Sequence, residues 1–157
     1  MADETLLEML KEVRWKTLKL LEGVDEKQAH FAPPGLNNTI LWNAGHALVV
    51  VEHLAMVQTT GAASQLPPAW FDKFSWKSNP ANVTEWPALG EVVEQLKNQR
   101  DRLAAFIRTL SQEQLDRVVG EPPRSRTLRG MIVHGLHDEA DHQGEIQLLK
   151  KIWKVRG

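Results

Sequence analysis

Residues 128–153 read LRGMIVHGLHDEADHQGEIQLLKKIW. When each residue advances about 100°, Met131, Leu149 and Ile152 fall within about 40° of Asp138 on one side of the stretch, the period of an α-helix. The helix starts after Thr127 and runs to about Trp153. Working back along the chain, three more segments carry the same period. One spans about Glu4 to Glu22, with Leu6, Leu10, Val13, Thr17 and Leu20 in register and Gly23 as a C-cap. A second spans about Thr39 to Gln58, entered through Asn37, Asn38 and Thr39, all good N-caps. A third opens at Pro87 and reaches Leu110 through Val92, Leu96, Leu103 and Ile107. Capping boxes at Asp25–Gln28 and Ser111–Gln114 predict two short helices, the second extending to Val119. The only run that tempts a strand reading, Val49–Val51, lies inside a helical pattern. The expected class is all-α, a four-helix bundle.

The chain of 157 residues is sized for one domain, expected to span residues 1–157. Between the second and third long helices lie 27 residues, 61–87, rich in Pro and in Trp70, Phe71, Phe74, Trp76 and Trp86. So aromatic a connection is not disordered, and it reads as a crossover packed over one end of the bundle. The second and third helices would then run parallel, the second and fourth antiparallel. A partial repeat at an offset of 88 matches Thr39 with Thr127 and His46 with His134. Two helical hairpins related by an approximate two-fold would produce it, and so would two chance-similar helix starts.

Charge and composition exclude several functions. A formal net charge of -1 argues against a nucleic-acid partner. No apolar run approaches the roughly 20 residues of a bilayer span, so no membrane partner is expected. The N-terminus lacks the pattern of a secretory signal, which makes the cytoplasm the expected location. The absence of Cys removes disulfides, thiolate metal ligands and cysteine nucleophiles.

The chemistry concentrates in HGLHDEADHQGEI, residues 134–146. With Asp138 at zero, His134 falls near -40°, His142 near +40° and Glu145 near -20°, by rotation of about 100° per residue. These polar groups therefore sit in the stripe expected to face the core, with His137 and Glu139 at its margins, about 100° to either side. An unpaired buried carboxylate is costly, and a cation shared with a neutral imidazole would compensate. Asp138 and His142, one turn apart, can point at one ion. On the second helix His46 lies among Trp42, Val50 and His53 on an otherwise apolar face. In an antiparallel pair Val50 faces Asp138, and His46 comes level with His142 as a third ligand. His53 comes level with His134 as a second polar pair, supporting or water-bonded. The alternatives are an ordinary i, i+4 ion pair and a core histidine bonded to a carbonyl. Glu145 could be a fourth ligand, a base, or the group orienting His142. Trp42 would wall the site, with Trp15 and Trp153 in the core or an interface.

WNAGHALVVVEH (42–53) and HDEADHQGEI (137–146) resemble the two signature regions of the DinB/YfiT-like metal-binding bundles. The resemblance covers nearly the whole chain, including the long crossover. It implies a divalent ion, zinc or nickel first and iron or manganese next, with His46 and His142 as ligands. The remaining position is commonly His in that family and is Asp138 here, as in thiol-dependent relatives that carry a carboxylate there. The resemblance further implies a low-molecular-weight thiol as co-substrate.

The expectation is a metal-dependent enzyme of the thiol S-transferase type acting on a small molecule. His46, Asp138 and His142 would be its metal ligands, with Glu145 and His134 in catalytic support. Metal-assisted hydrolysis and a non-catalytic, stress-associated bundle are the alternatives. A homodimer is the oligomeric expectation, with exposed Trp at the interface.

Overall fold

The computed structural model describes residues Met1–Gly157. Helix α1 (Glu4–Leu21) is capped by Asp3, whose carboxylate accepts the Leu6 N–H. A short α2 (Glu26–Ala29) follows. Thr39 caps α3 (Ile40–Val51), which continues through a π-helical stretch (Glu52–Val57) into the last turn α4 (Gln58–Thr60). The crossover holds α5 (Pro68–Phe74) and a 3₁₀ turn (Pro80–Asn82). Then come α6 (Leu89–Thr109), α7 (Gln112–Asp116) and α8 (Leu128–Val155), the last capped by Thr127. Both threonine caps matched by the repeat are therefore used, on Trp42 N–H and Gly130 N–H. The second short helix ends at Asp116, because Val118–Val119 pairs antiparallel with Arg126–Thr127 as a small ribbon, β1 and β2.

The architecture is the expected four-helix bundle with a long crossover. Two apolar clusters fill it. One joins Leu41 and Leu48 of α3 to Leu89, Val92 and Leu96 of α6, and to Ile146 and Leu149 of α8. The other joins Val51 and Ala55 to Leu103 and Ile107, and to Leu128, Ile132 and Leu136. Indices on α3 and α6 rise together while those on α8 fall, so the first pair is parallel and α8 antiparallel to α3. The rod Ile40–Thr60 is long and apolar enough to cross a membrane by length and composition alone, although polar residues interrupt its apolar run. Its most apolar window is 78% buried inside the bundle, as a central helix must be.

Between the clusters runs a belt of buried polar groups. Arg14 on α1 makes a two-point ion pair with Glu139 on α8, and neither side chain reaches solvent. Thr17 and Gln99 complete their hydrogen bonds, and Gln99 passes the chain on to Glu52 and Arg102. This belt corrects the reading of two faces. The buried side of α1 holds Arg14 and Leu21 in place of Val13 and Leu20, and Trp15 is exposed rather than core. On α8 the buried residues centre about 80° from Asp138, because the helix packs against both α1 and α3. Glu139, expected at the margin, lies in the middle, and Asp138 lies at the edge.

Candidate metal centre

The site forms where α3, α8 and α5 meet. Gly45 lets α5 approach: a Cβ there would run into the Phe74 ring. That close approach puts the Phe74 carbonyl 2.6 Å from His46 Nδ1. A carbonyl only accepts, so Nδ1 carries the proton and His46 Nε2 keeps its lone pair. His142 is held the same way. Asn43 gives its NH₂ to the Thr39 carbonyl, which leaves Asn43 Oδ1 to accept from His142 Nδ1 at 2.7 Å. Both Nε2 atoms are thus free to donate to a cation. Trp42 stacks on the His46 ring at 4.5 Å and is fixed by Ser78, walling the site as expected.

Asp138 Oδ2 stands 3.8 Å from His46 Nε2 and 3.8 Å from His142 Nε2. It is buried and has no hydrogen-bond partner. The three donor atoms lie within 4.8 Å of one another. Zinc–ligand bonds of about 2.0–2.1 Å set tetrahedral ligand atoms about 3.4 Å apart, so Asp138 Oδ2, at 3.8 Å from each imidazole nitrogen, needs to close on them by only tenths of an ångström. An orphaned carboxylate oxygen facing two imidazole lone pairs fits a divalent cation. Burial pushes the His46 imidazole pKa below its ordinary value, outweighing the opposite pull of the Phe74 carbonyl and Asp138. A neutral imidazole is the form a metal needs.

The centre opens onto a cleft of about 330 Å³. His53, Trp76, Arg124, Arg126 and His134 line it beside His46 and Asp138. His53 and His134 are therefore brought to one space, as the register predicted. His53 is hydrogen-bonded to Gln58 at 2.8 Å, and burial lowers its pKa. Glu145 does not line the cleft; its Oε2 lies 3.9 Å from His142 Nδ1, where Asn43 already does the orienting. His137 is exposed, 3.9 Å from Asp141. Sequence reasoning missed Asn43, Phe74 and the two arginines. Asn43 alone left a signal, as a polar residue in the first turn of an otherwise apolar helix.

The sequence pattern of the DinB superfamily matches residues 9–146. The chain belongs to the DinB superfamily. Solved structures agree on the fold. A conserved protein of Enterococcus faecalis superposes with a TM-score of 0.79 at 15% identity, covering 97% of each chain. A DinB-like protein of Bacillus subtilis gives 0.67 at 19% identity, over 94% of this chain and 91% of that one. YfiT of Bacillus subtilis, described as a probable metal-dependent hydrolase with an unusual four-helix bundle topology, gives 0.64 at 16% identity, over 96% and 87%. No curated protein matches the sequence.

Proposed function

We propose that this DinB-superfamily protein is a metal-dependent enzyme acting on a small molecule, with one divalent ion held by His46, Asp138 and His142. The partnerless Asp138 Oδ2, facing two imidazole nitrogens, is the observation that carries the reading. Two imidazoles and a carboxylate suit zinc or nickel, with iron or manganese next. When bound, such an ion supplies Lewis acidity and lowers the pKa of a water or thiol beside it.

The chain's own residues supply the rest. Trp42 and Phe74 shut water out behind His46, and Asn43 holds the His142 ring in line. His134, in the cleft beside Asp138, is the group positioned to carry a proton. Glu145 adds negative charge near His142 without facing the cleft.

The reaction we favour is thiol S-transfer. The sulfur of a small thiol bonds to an electrophilic carbon, the bond from that carbon to its leaving group breaks, and the leaving group departs with the thiol proton. The resemblance of Asp138 to the carboxylate of thiol-dependent relatives supports this, and since the chain has no Cys the thiol would be a separate molecule. Such thiols are kept reduced in the cytoplasm, where this reading would have the protein act. Hydrolysis is the second reading, favoured by the likeness to YfiT, with water in place of the thiol.

Chelated protein, reloaded with zinc or nickel, is assayed with glutathione or cysteine and an alkyl halide, with products followed by mass spectrometry. Thioether formation that needs both metal and protein is expected. Metal-dependent loss of a hydrolysable substrate without thiol would select the hydrolase. If chelation lowers the melting temperature and neither reaction depends on metal, the protein is a non-catalytic bundle.

A further inference from the structure

The cleft in front of the centre has a charge its surroundings do not explain. Asp138 is its only carboxylate, against Arg124, Arg126, His53 and His134. Four arginines elsewhere in the fold meet acids, Arg14 with Glu139, Arg100 with Asp101, Arg102 with Glu52 and Arg129 with Asp3, while Arg108, Arg117 and Arg156 do not. Arg124 and Arg126 have no carboxylate within 4.0 Å, although each presents five donors.

Their placement is built into the backbone. Arg124 closes a turn, its N–H donating to the Glu121 carbonyl, and Arg126 opens β2, which brings both to one wall of the cleft. Pairing of Val119 with Arg126 fixes that segment, and Thr127 immediately afterwards caps α8. At the root of the loop Gly120 has φ +81°, and a Cβ there would come within 3.0 Å of Gln58 Oε1 and Met131 Cε. Gln58 and Met131 also line the cleft, so the loop is seated against its wall.

We infer that the cleft takes a compact small molecule ending in a carboxylate or phosphoryl group, whose oxygens Arg124 and Arg126 hold while its other end faces Asp138. Forked guanidiniums match the paired oxygens of such groups. A divalent ion, offset by Asp138 and joined by two guanidiniums, gives the cleft about three positive charges in a chain of formal charge -1, which draws anions there. The volume of about 330 Å³ is near the lower end of small-molecule sites, about 300–1,000 Å³. The inference deepens the metal-enzyme reading and rests on it for the orientation of the ligand.

The test uses ¹⁵N-labelled full-length protein stripped of metal, titrated in separate series with inorganic phosphate and with acetate at constant ionic strength. Saturable amide shifts confined to the β1–β2 ribbon, its loop and the start of α8 are expected. The double variant Arg124→Gln/Arg126→Gln should bind at least about tenfold more weakly. Both side chains are exposed, so the variant should keep its melting temperature and bind as much zinc as the parent. Preference for one of the two anions identifies the terminal group. Equal affinity in the parent and the double variant, or shifts scattered over the surface, overturns the inference. Arginine-dependent phosphate binding by a protein that takes up no zinc would sustain the anion site and defeat the metal reading alone.

Discussion

Asn43 fixes the aim of His142 through one hydrogen bond, and its own amide is fixed by the Thr39 carbonyl. Removing such an orienting partner costs about ten- to a hundredfold in metal affinity. Asn43→Ala is therefore expected to weaken zinc binding by that amount in competition with a chromogenic chelator. The two glycines near the ligands should behave oppositely. Gly144 lies inside α8 with open space around its Cα, so Gly144→Ala should stabilise the metal-free protein by about 0.5–1 kcal/mol in urea unfolding. Gly45→Ala drives a methyl into the Phe74 ring and should both destabilise the fold and loosen His46. His46, Asp138 and His142 were legible because helical spacing sets Asp138 and His142 one turn apart and an antiparallel register brings His46 level with them. The carbonyl that orients His46 was not, since it belongs to a crossover whose path no periodicity fixes.

At the scale of helices, relative angles were legible and absolute facing was not. Spacing placed Asp138 and Glu139 about 100° apart, and which of them is innermost depends on how many neighbours α8 has. Two long helices, α1 and α3, pack along it, so the buried arc is broad and Glu139 lies at its centre. A sequence reading resists burying a charge unless it sees the partner, and Arg14 stands 125 residues away. Arg14→Met leaves that carboxylate buried and unpaired, which should cost about 3–5 kcal/mol in urea unfolding. Adding Glu139→Leu should recover most of the loss, because an apolar pair of similar volume needs no counter-charge. The ribbon β1–β2 escaped notice because two residues per strand are too few for alternation to register.

For the molecule as a whole, two kinds of group set the response to acid. Burial raises the Glu52 carboxylate pKa, but its bonds to Arg102 and Gln99 outweigh that and hold it below the ordinary value. Its contribution is present above the unfolded carboxylate pKa and is lost as pH falls through the lower folded one. Burial lowers the His46 and His53 pKa values below that of an ordinary imidazole, so the unfolded chain takes up protons there before the folded one does. That loss begins as pH falls below the unfolded value and ends at the folded one. Both effects make stability rise with pH. The melting temperature of chelated protein should therefore fall in two stages on acidification, and His53→Gln should shrink the earlier stage. The bundle and its crossover could be read from the sequence because four amphipathic helices and an aromatic connection leave few other arrangements. The anion-facing loop could not, because its residues matter only through what the ribbon sets them against.

The most direct measurement is zinc content by elemental analysis of untagged protein and of Asp138→Ala, each equilibrated with zinc and then desalted. The account predicts one ion per chain in the parent and none in the variant. A parent that retains no zinc, or a variant that retains as much as the parent, would contradict it.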